Sequence, residues 1–137
     1  MIMAGTRQPD PNRVPRGEMQ IRTVAMPADA NPNGDIFGGW VLSQMDVAGG
    51  VAAASRAQGR VATVGIEAMT FIGPVAVGDV LCCYGDIERV GRTSITVAIE
   101  AWKIRWFDRR EERALVTEGR FTYVAIDDNG RKRPVDE

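Results

Sequence analysis

The sequence has no histidine anywhere in its 137 residues. That absence excludes Ser-His-Asp and Cys-His catalysis, histidine-ligated metal sites and dehydratases that work through a histidine base. Acid–base chemistry near neutral pH must run on carboxylates, cysteine, tyrosine, lysine or bound water. Other features are scarce too. No apolar run approaches the roughly 20 residues of a membrane span. The net charge is only −1, which offers nothing to draw nucleic acid or an acidic membrane. The two cysteines, Cys82 and Cys83, are adjacent in a strand-like run, where neighbours point to opposite faces, so no disulfide joins them. No internal repeat or low-complexity tract is visible. The opening MIMAGTRQPDPNRVPRGE is polar and proline-broken, and lacks the apolar segment of a secretory signal. Together these features predict a cytoplasmic protein.

What is present fits one globular domain, with 45% hydrophobic and 26% charged residues and no room for a second. Residues 1–17 read as a disordered or loosely attached arm, 18–127 as the domain, and 128–137 as a polar tail. A first strand is predicted over 18–26, ended by Pro27. Residues 27–36 hold the turn-forming pairs Asn31-Pro32 and Asn33-Gly34. A helix then starts near Phe37–Gly39 and runs to about Gln58, closed by Gly59. Val41, Leu42, Met45, Ala48, Gly49 and Ala52 make an apolar stripe along it, and the opposite side, Val47, Gly50 and Ala54, is hardly polar. Such a helix is expected to be enclosed by the fold.

After Gly59 the pattern turns to strands, predicted over 60–72, 79–90, 92–107 and 114–126. Their connections, GPVAVGD, VGR and FDRREER, are short enough for an antiparallel meander. No crossover helix remains, which excludes a parallel sheet. One buried helix cannot be covered by a flat sheet, so the sheet must curl around it. This is an α+β fold of the hotdog type, a long central helix wrapped by a curled antiparallel sheet.

Between Asp35 and Arg56 the only charge is Asp46. An unpaired carboxylate in an apolar stretch is expensive to bury. Its neighbours one helical turn away are Leu42, Ser43, Gly49 and Gly50, so no local cation pairs with it. Either it lies on an exposed strip or meets an arginine from the sheet, or it is a working general base. Gly38-Gly39 at the helix start leave the first N–H groups open, and the helix dipole adds partial positive charge there. That suits a carbonyl oxygen gaining negative charge, although the pair would equally allow a tight turn. Asp46 lies roughly 13 Å along the axis from its own helix start. An antiparallel pair of helices in a dimer would bring Asp46 of one chain near Gly38-Gly39 of the other. Asn31 and Asn33 are either turn formers or orient a water or substrate amide. Arginines in KIRWFDRREER (103–113) and in Gly91-Arg92-Thr93-Ser94 are either solvated hairpin charges or phosphate ligands.

The stretches ANPNGDIFGGWVLSQMD and RVATVGIEAMTFIGPVAVGDVLCCY closely resemble the YciA-like acyl-CoA thioesterases, small bacterial hotdog proteins. The resemblance covers about residues 19–128. It implies hydrolysis of acyl-CoA to a free acid and coenzyme A, with broad acyl specificity. It also implies a hexamer of three hotdog dimers with active sites between subunits. The family's catalytic aspartate falls on Asp46, its loop asparagine on Asn31, and its glycine pair on Gly38 and Gly39. Substrate contacts are expected at Phe37, at Met69, Thr70 and Phe71, at Arg92, Thr93 and Ser94, and at Arg105. No separate cofactor or metal is implied, since coenzyme A belongs to the substrate. A non-catalytic acyl-CoA sensor is the competing reading; sensors of that kind are fused to DNA-binding modules, for which the 18-residue opening is too short.

Overall fold

Helix α1 (Gly38–Ala57) is built almost wholly of small and aliphatic residues, with no proline to interrupt it. In the computed structural model, which describes residues 10–137, its Val41, Met45, Ala48 and Ala52 are buried against the sheet. Gln58, with φ 53° and ψ 46°, ends it in the left-handed conformation expected of Gly59. Gly59 has a different use. A Cβ there would meet Arg133 Nη2 at 2.5 Å, and that nitrogen donates to the Ala57 carbonyl at 2.9 Å, capping the helix.

Around the helix runs a five-stranded antiparallel sheet in the order β1-β3-β4-β5-β2, with β1 Glu18–Val24, β2 Val61–Phe71, β3 Val80–Val90, β4 Ser94–Phe107 and β5 Arg110–Ala125. The helix touches all five strands. Leu81, Cys83, Val97, Ile99, Val116 and Phe121 face it and complete the core. This is the hotdog fold.

The sheet is not the simple meander predicted. β2 pairs with β5 rather than with β3, because β1 already occupies that edge of β3 in the register Val24↔Val80. The charged FDRREER segment is not a loop either. β4 and β5 continue through it to a two-residue turn at Asp108-Arg109, where φ is 49° and 63°, and Arg105 stands opposite Glu112.

The described parts of the expected arm and tail are tied to the domain. Residues 1–9 of the predicted arm lie outside the described residues. Residues 10–17 lie along the sheet, where Arg13 bonds Glu100 and Glu118, and Arg16 bonds Asp86 and Glu88. In the C-terminal tail Val135 is buried, its N–H donates to the Arg92 carbonyl at 2.9 Å, and Arg56 pairs with Asp136 at 2.7 Å.

The helix is not enclosed by its own chain. Val47 and Val51 are 54% and 47% exposed, and Ser43 and Ser55 lie on the same outward row. Edge strand β2 is open as well, with every residue from Thr63 to Ala68 exposed. A strand with one face on the core alternates buried and exposed positions. The unbroken run here, including Val64 at 57% and Ile66 at 42%, leaves both faces uncovered. Within this chain the β2 strip and the outward row of α1 are left without cover.

Candidate active site

Asp46 sits in the middle of α1 and is half-buried. No cation among the described residues pairs with it, which excludes the arginine partner that the sequence left open. Two hydroxyls take that place. Thr63 Oγ1 donates to Asp46 Oδ1 at 2.7 Å, and the Tyr123 hydroxyl lies 3.1 Å from the same oxygen and 2.9 Å from the Asp46 carbonyl. Thr63 and Tyr123 are direct cross-strand partners on β2 and β5, so one rung of the sheet aims both groups at one carboxylate oxygen. The described residues give no hydrogen bond to the other oxygen, Oδ2. A carboxylate held at one oxygen and open at the other can accept a proton from a water or attack an electrophile.

The helix start has the form expected of an anion-stabilising end. Phe37, the residue before the helix, makes no side-chain cap, and no acidic residue lies in the first turn. The Trp40 and Val41 N–H groups reach back to the Phe37 carbonyl, at 3.0 and 3.4 Å. Those of Gly38 and Gly39 find no partner among the described residues, and a Cβ on Gly39 would meet nothing within 4 Å apart from its chain neighbours and its own helix backbone. The Phe37 side chain stands half-exposed next to them. Within one chain Asp46 and Gly38 are eight residues apart, or about 12 Å along the axis, so they do not meet one reacting carbonyl.

Asn31 organises its own loop. Its Oδ1 accepts from the N–H groups of Asn33 and Asp35 at 2.9 and 3.2 Å. This is the turn-forming role, and it leaves the side-chain NH2 as a donor fixed in orientation. Asn33 is exposed and bonds to Asn31 only through its backbone.

The other expected contacts divide. Met69 and Phe71 pack against the core, while exposed Thr70 lends its carbonyl to Thr117 Oγ1 at 2.7 Å. Ala68, with φ 62°, makes a bulge just before them. Arg92 is exposed in the β3–β4 turn and has no ion-pair partner among the described residues. Thr93 and Ser94 bond there through their carbonyls, to the N–H groups of Ala125 and Gly91. Arg105 lies toward the opposite end of β4, about 36 Å from Ser94 along an extended strand. It is also engaged, as both its Nε and Nη2 donate to buried Asp79 at 3.0 and 2.6 Å. Arg92 and Arg105 of one chain therefore cannot hold the same phosphate group. Exposed Arg60, Arg131 and Lys132 belong to the Arg92 end, because the C-terminal segment folds back there.

Cysteine chemistry is not favoured. Both thiols are free and buried, and burial pushes Cys83 up to about 12 and raises Cys82 as well, so neither offers a thiolate. Among the described residues no three Cys, Asp or Glu side chains gather as a metal site, and no helix is long and apolar enough to cross a membrane.

A long helix in a curled sheet, with a lone carboxylate at mid-helix and an open N-terminus, defines a hotdog protein of the thioesterase class. Residues 33–105 match the Thioesterase superfamily, and the chain belongs to that family. It is 50% identical over 123 residues to the acyl-CoA thioester hydrolase YciA of Escherichia coli, covering 89% of this chain and 93% of that one. It superimposes with a TM-score of 0.86 on a hexameric broad-specificity acyl-coenzyme A thioesterase, at 49% identity, over 91% of this chain and 85% of the other. A hexameric thioesterase from Yersinia pestis matches with a TM-score of 0.83 and 52% identity, over 90% and 99% of the two chains.

Proposed function

We propose that this protein hydrolyses acyl-CoA thioesters to a free carboxylic acid and coenzyme A, at a site built between two chains. The observation that carries the reading is Asp46, a mid-helix carboxylate held at Oδ1 by two hydroxyls, with Oδ2 given no hydrogen bond by the described residues. Two such chains, joined through the open β2 edge and the outward row of α1 with helices antiparallel, set Asp46 of one near Gly38 and Gly39 of the other. The N–H groups of that glycine pair polarise the thioester carbonyl as negative charge develops on its oxygen. Asp46 takes a proton from a water, whose oxygen attacks the carbonyl carbon. The C–S bond breaks, and the departing thiolate takes up the proton held by Asp46, which gives coenzyme A and restores the carboxylate. Direct attack by Asp46 to give an anhydride, then hydrolysed, uses the same geometry. Thiolate leaves without a strong general acid, in keeping with a chain that has no histidine. Asn31 orients the attacking water or the substrate amide through its side-chain NH2. Phe37 and the open strip of β2 up to Thr70 line the acyl and pantetheine path. The nucleotide lies toward Arg92, with Thr93 and Ser94 in the same turn.

The relatives' hexamers support assembly as a trimer of such dimers. Coenzyme A enters as part of the substrate, and the chemistry needs no separate cofactor. We place the protein in the cytoplasm, with residues 18–127 as its catalytic domain. The test is thiol release from a panel of acyl-CoAs by the wild type and by Asp46→Asn. Turnover should fall by roughly two to four orders of magnitude, with coenzyme A binding and assembly kept. Near-wild-type turnover by the variant would remove Asp46 from the mechanism. Binding of acyl-CoA without any thiol release would make the protein a sensor.

A further inference from the structure

Tyr123 is 1% exposed, on β5 at the centre of the core. A phenylalanine would fill the same volume, so the hydroxyl needs its own explanation. Its only partners among the described residues are both on Asp46: the carbonyl oxygen at 2.9 Å and Oδ1 at 3.1 Å. One proton is shared between two acceptors, although the carbonyl alone would have satisfied it. The approach is possible only because residue 49 is glycine. A Cβ there would run into Tyr123 Oη and Ile99 Cδ1. The helix is thus notched one turn beyond Asp46, and the phenol lies in the notch. Burial, then the charge of Asp46 and the hydrogen bond to it, push the phenol's pKa far up, so it stays a donor across the working pH range.

We propose that Tyr123 is a positioning residue: lodged in the Gly49 notch, its hydroxyl fixes the Asp46 carboxylate so that Oδ2 is the oxygen offered to the reaction. Thr63 reaches Oδ1 from exposed β2, at the surface a second chain would cover. Tyr123 reaches it from inside the chain and ties side chain and backbone of Asp46 together. The orientation is therefore set before any partner or substrate arrives. The inference rests on the reading of Asp46 as the reacting carboxylate.

The experiment compares wild type, Tyr123→Phe, Asp46→Asn and the double variant by thiol release, with thermal unfolding and light scattering on each. Tyr123→Phe should lower kcat by roughly ten- to a hundred-fold, with KM and assembly kept, since misorienting a reacting group acts on the chemical step. In the Asp46→Asn background the same substitution should change turnover by less than about two-fold, because a positioning residue has nothing left to position. An equal factor in both backgrounds would make Tyr123 merely structural and overturn the proposal, as would wild-type kcat in Tyr123→Phe. If Asp46→Asn itself keeps wild-type turnover, the catalytic reading fails instead, and the two failures are distinct. A second readout does not depend on the phenylalanine variant folding. The protein holds two tyrosines, Tyr84 and Tyr123, so 3-fluorotyrosine labelling gives two fluorine signals. Asp46→Asn should move the Tyr123 signal, and two unmoved signals would refute the contact.

Discussion

Arg13→Ala tests whether the segment before β1 is part of the folded unit. Glu100 and Glu118 stand directly opposite each other on β4 and β5, an arrangement that repels unless a cation lies between. Arg13 Nη2 lies 2.7 Å from an oxygen of each. The side chain of Glu100 is 7% exposed, that of Glu118 46%, and that of Arg13 32%. Removing one partner of a fully buried pair costs about 3–5 kcal/mol. Two features reduce that figure here. Glu118 is half in water, and Glu100 keeps the Trp102 Nε1 donor at 2.9 Å and the Arg16 N–H at 3.1 Å. The remaining loss is about 1.5–3 kcal/mol, or roughly 6–12 °C in Tm for a chain of this size. Thermal unfolding at fixed protein concentration measures it, with kcat expected to stay at the wild-type value, because neither glutamate contacts Asp46. Adding Glu118→Gln to Arg13→Ala should recover part of the loss by removing one of the two facing charges. A Tm within about 1 °C of wild type would refute the reasoning and return residues 10–17 to the status of a loose arm.

Arg92→Ala should raise KM for acyl-CoA and leave kcat unchanged, with a penalty that shrinks at high salt and is small for an acyl-pantetheine. Equal losses on both substrates, measured by steady-state thiol release, would make Arg92 structural and move the phosphate site elsewhere. Light scattering at assay concentration should find a dimer or a multiple of one. A fully active monomer would overturn the shared site.

The sequence carried Asp46, the helix and the strand content because these are local signals: one charge in an apolar stretch, a stripe at helical spacing, runs of Val, Ile and Thr. It did not carry what holds Asp46. Thr63 is 17 residues away and Tyr123 is 77, and only the β2–β5 register puts their hydroxyls on one rung. Glycine at 49, one turn beyond an isolated aspartate, was a readable hint that something approaches the helix there. Arg105 was expected at the substrate, and its pairing with Asp79, 26 residues earlier, has no local signal. The same long-range pairing hid the place of β2 at the sheet edge. Composition could show that α1 is apolar on all sides. It could not tell whether the cover comes from the chain itself or from another copy.

The uncovered β2 edge and outward valines have a consequence in time and concentration. A newly made chain carries an open sheet edge beside an apolar face, the combination that recruits wrong partners. Until a second chain arrives it is at risk, and how long it waits depends on how many copies are being made nearby. In the proposed dimer dilution separates the two chains, so the protein's melting temperature and its activity per milligram should both rise with its own concentration. The midpoint of that rise would measure how tightly the two chains of the proposed dimer hold together.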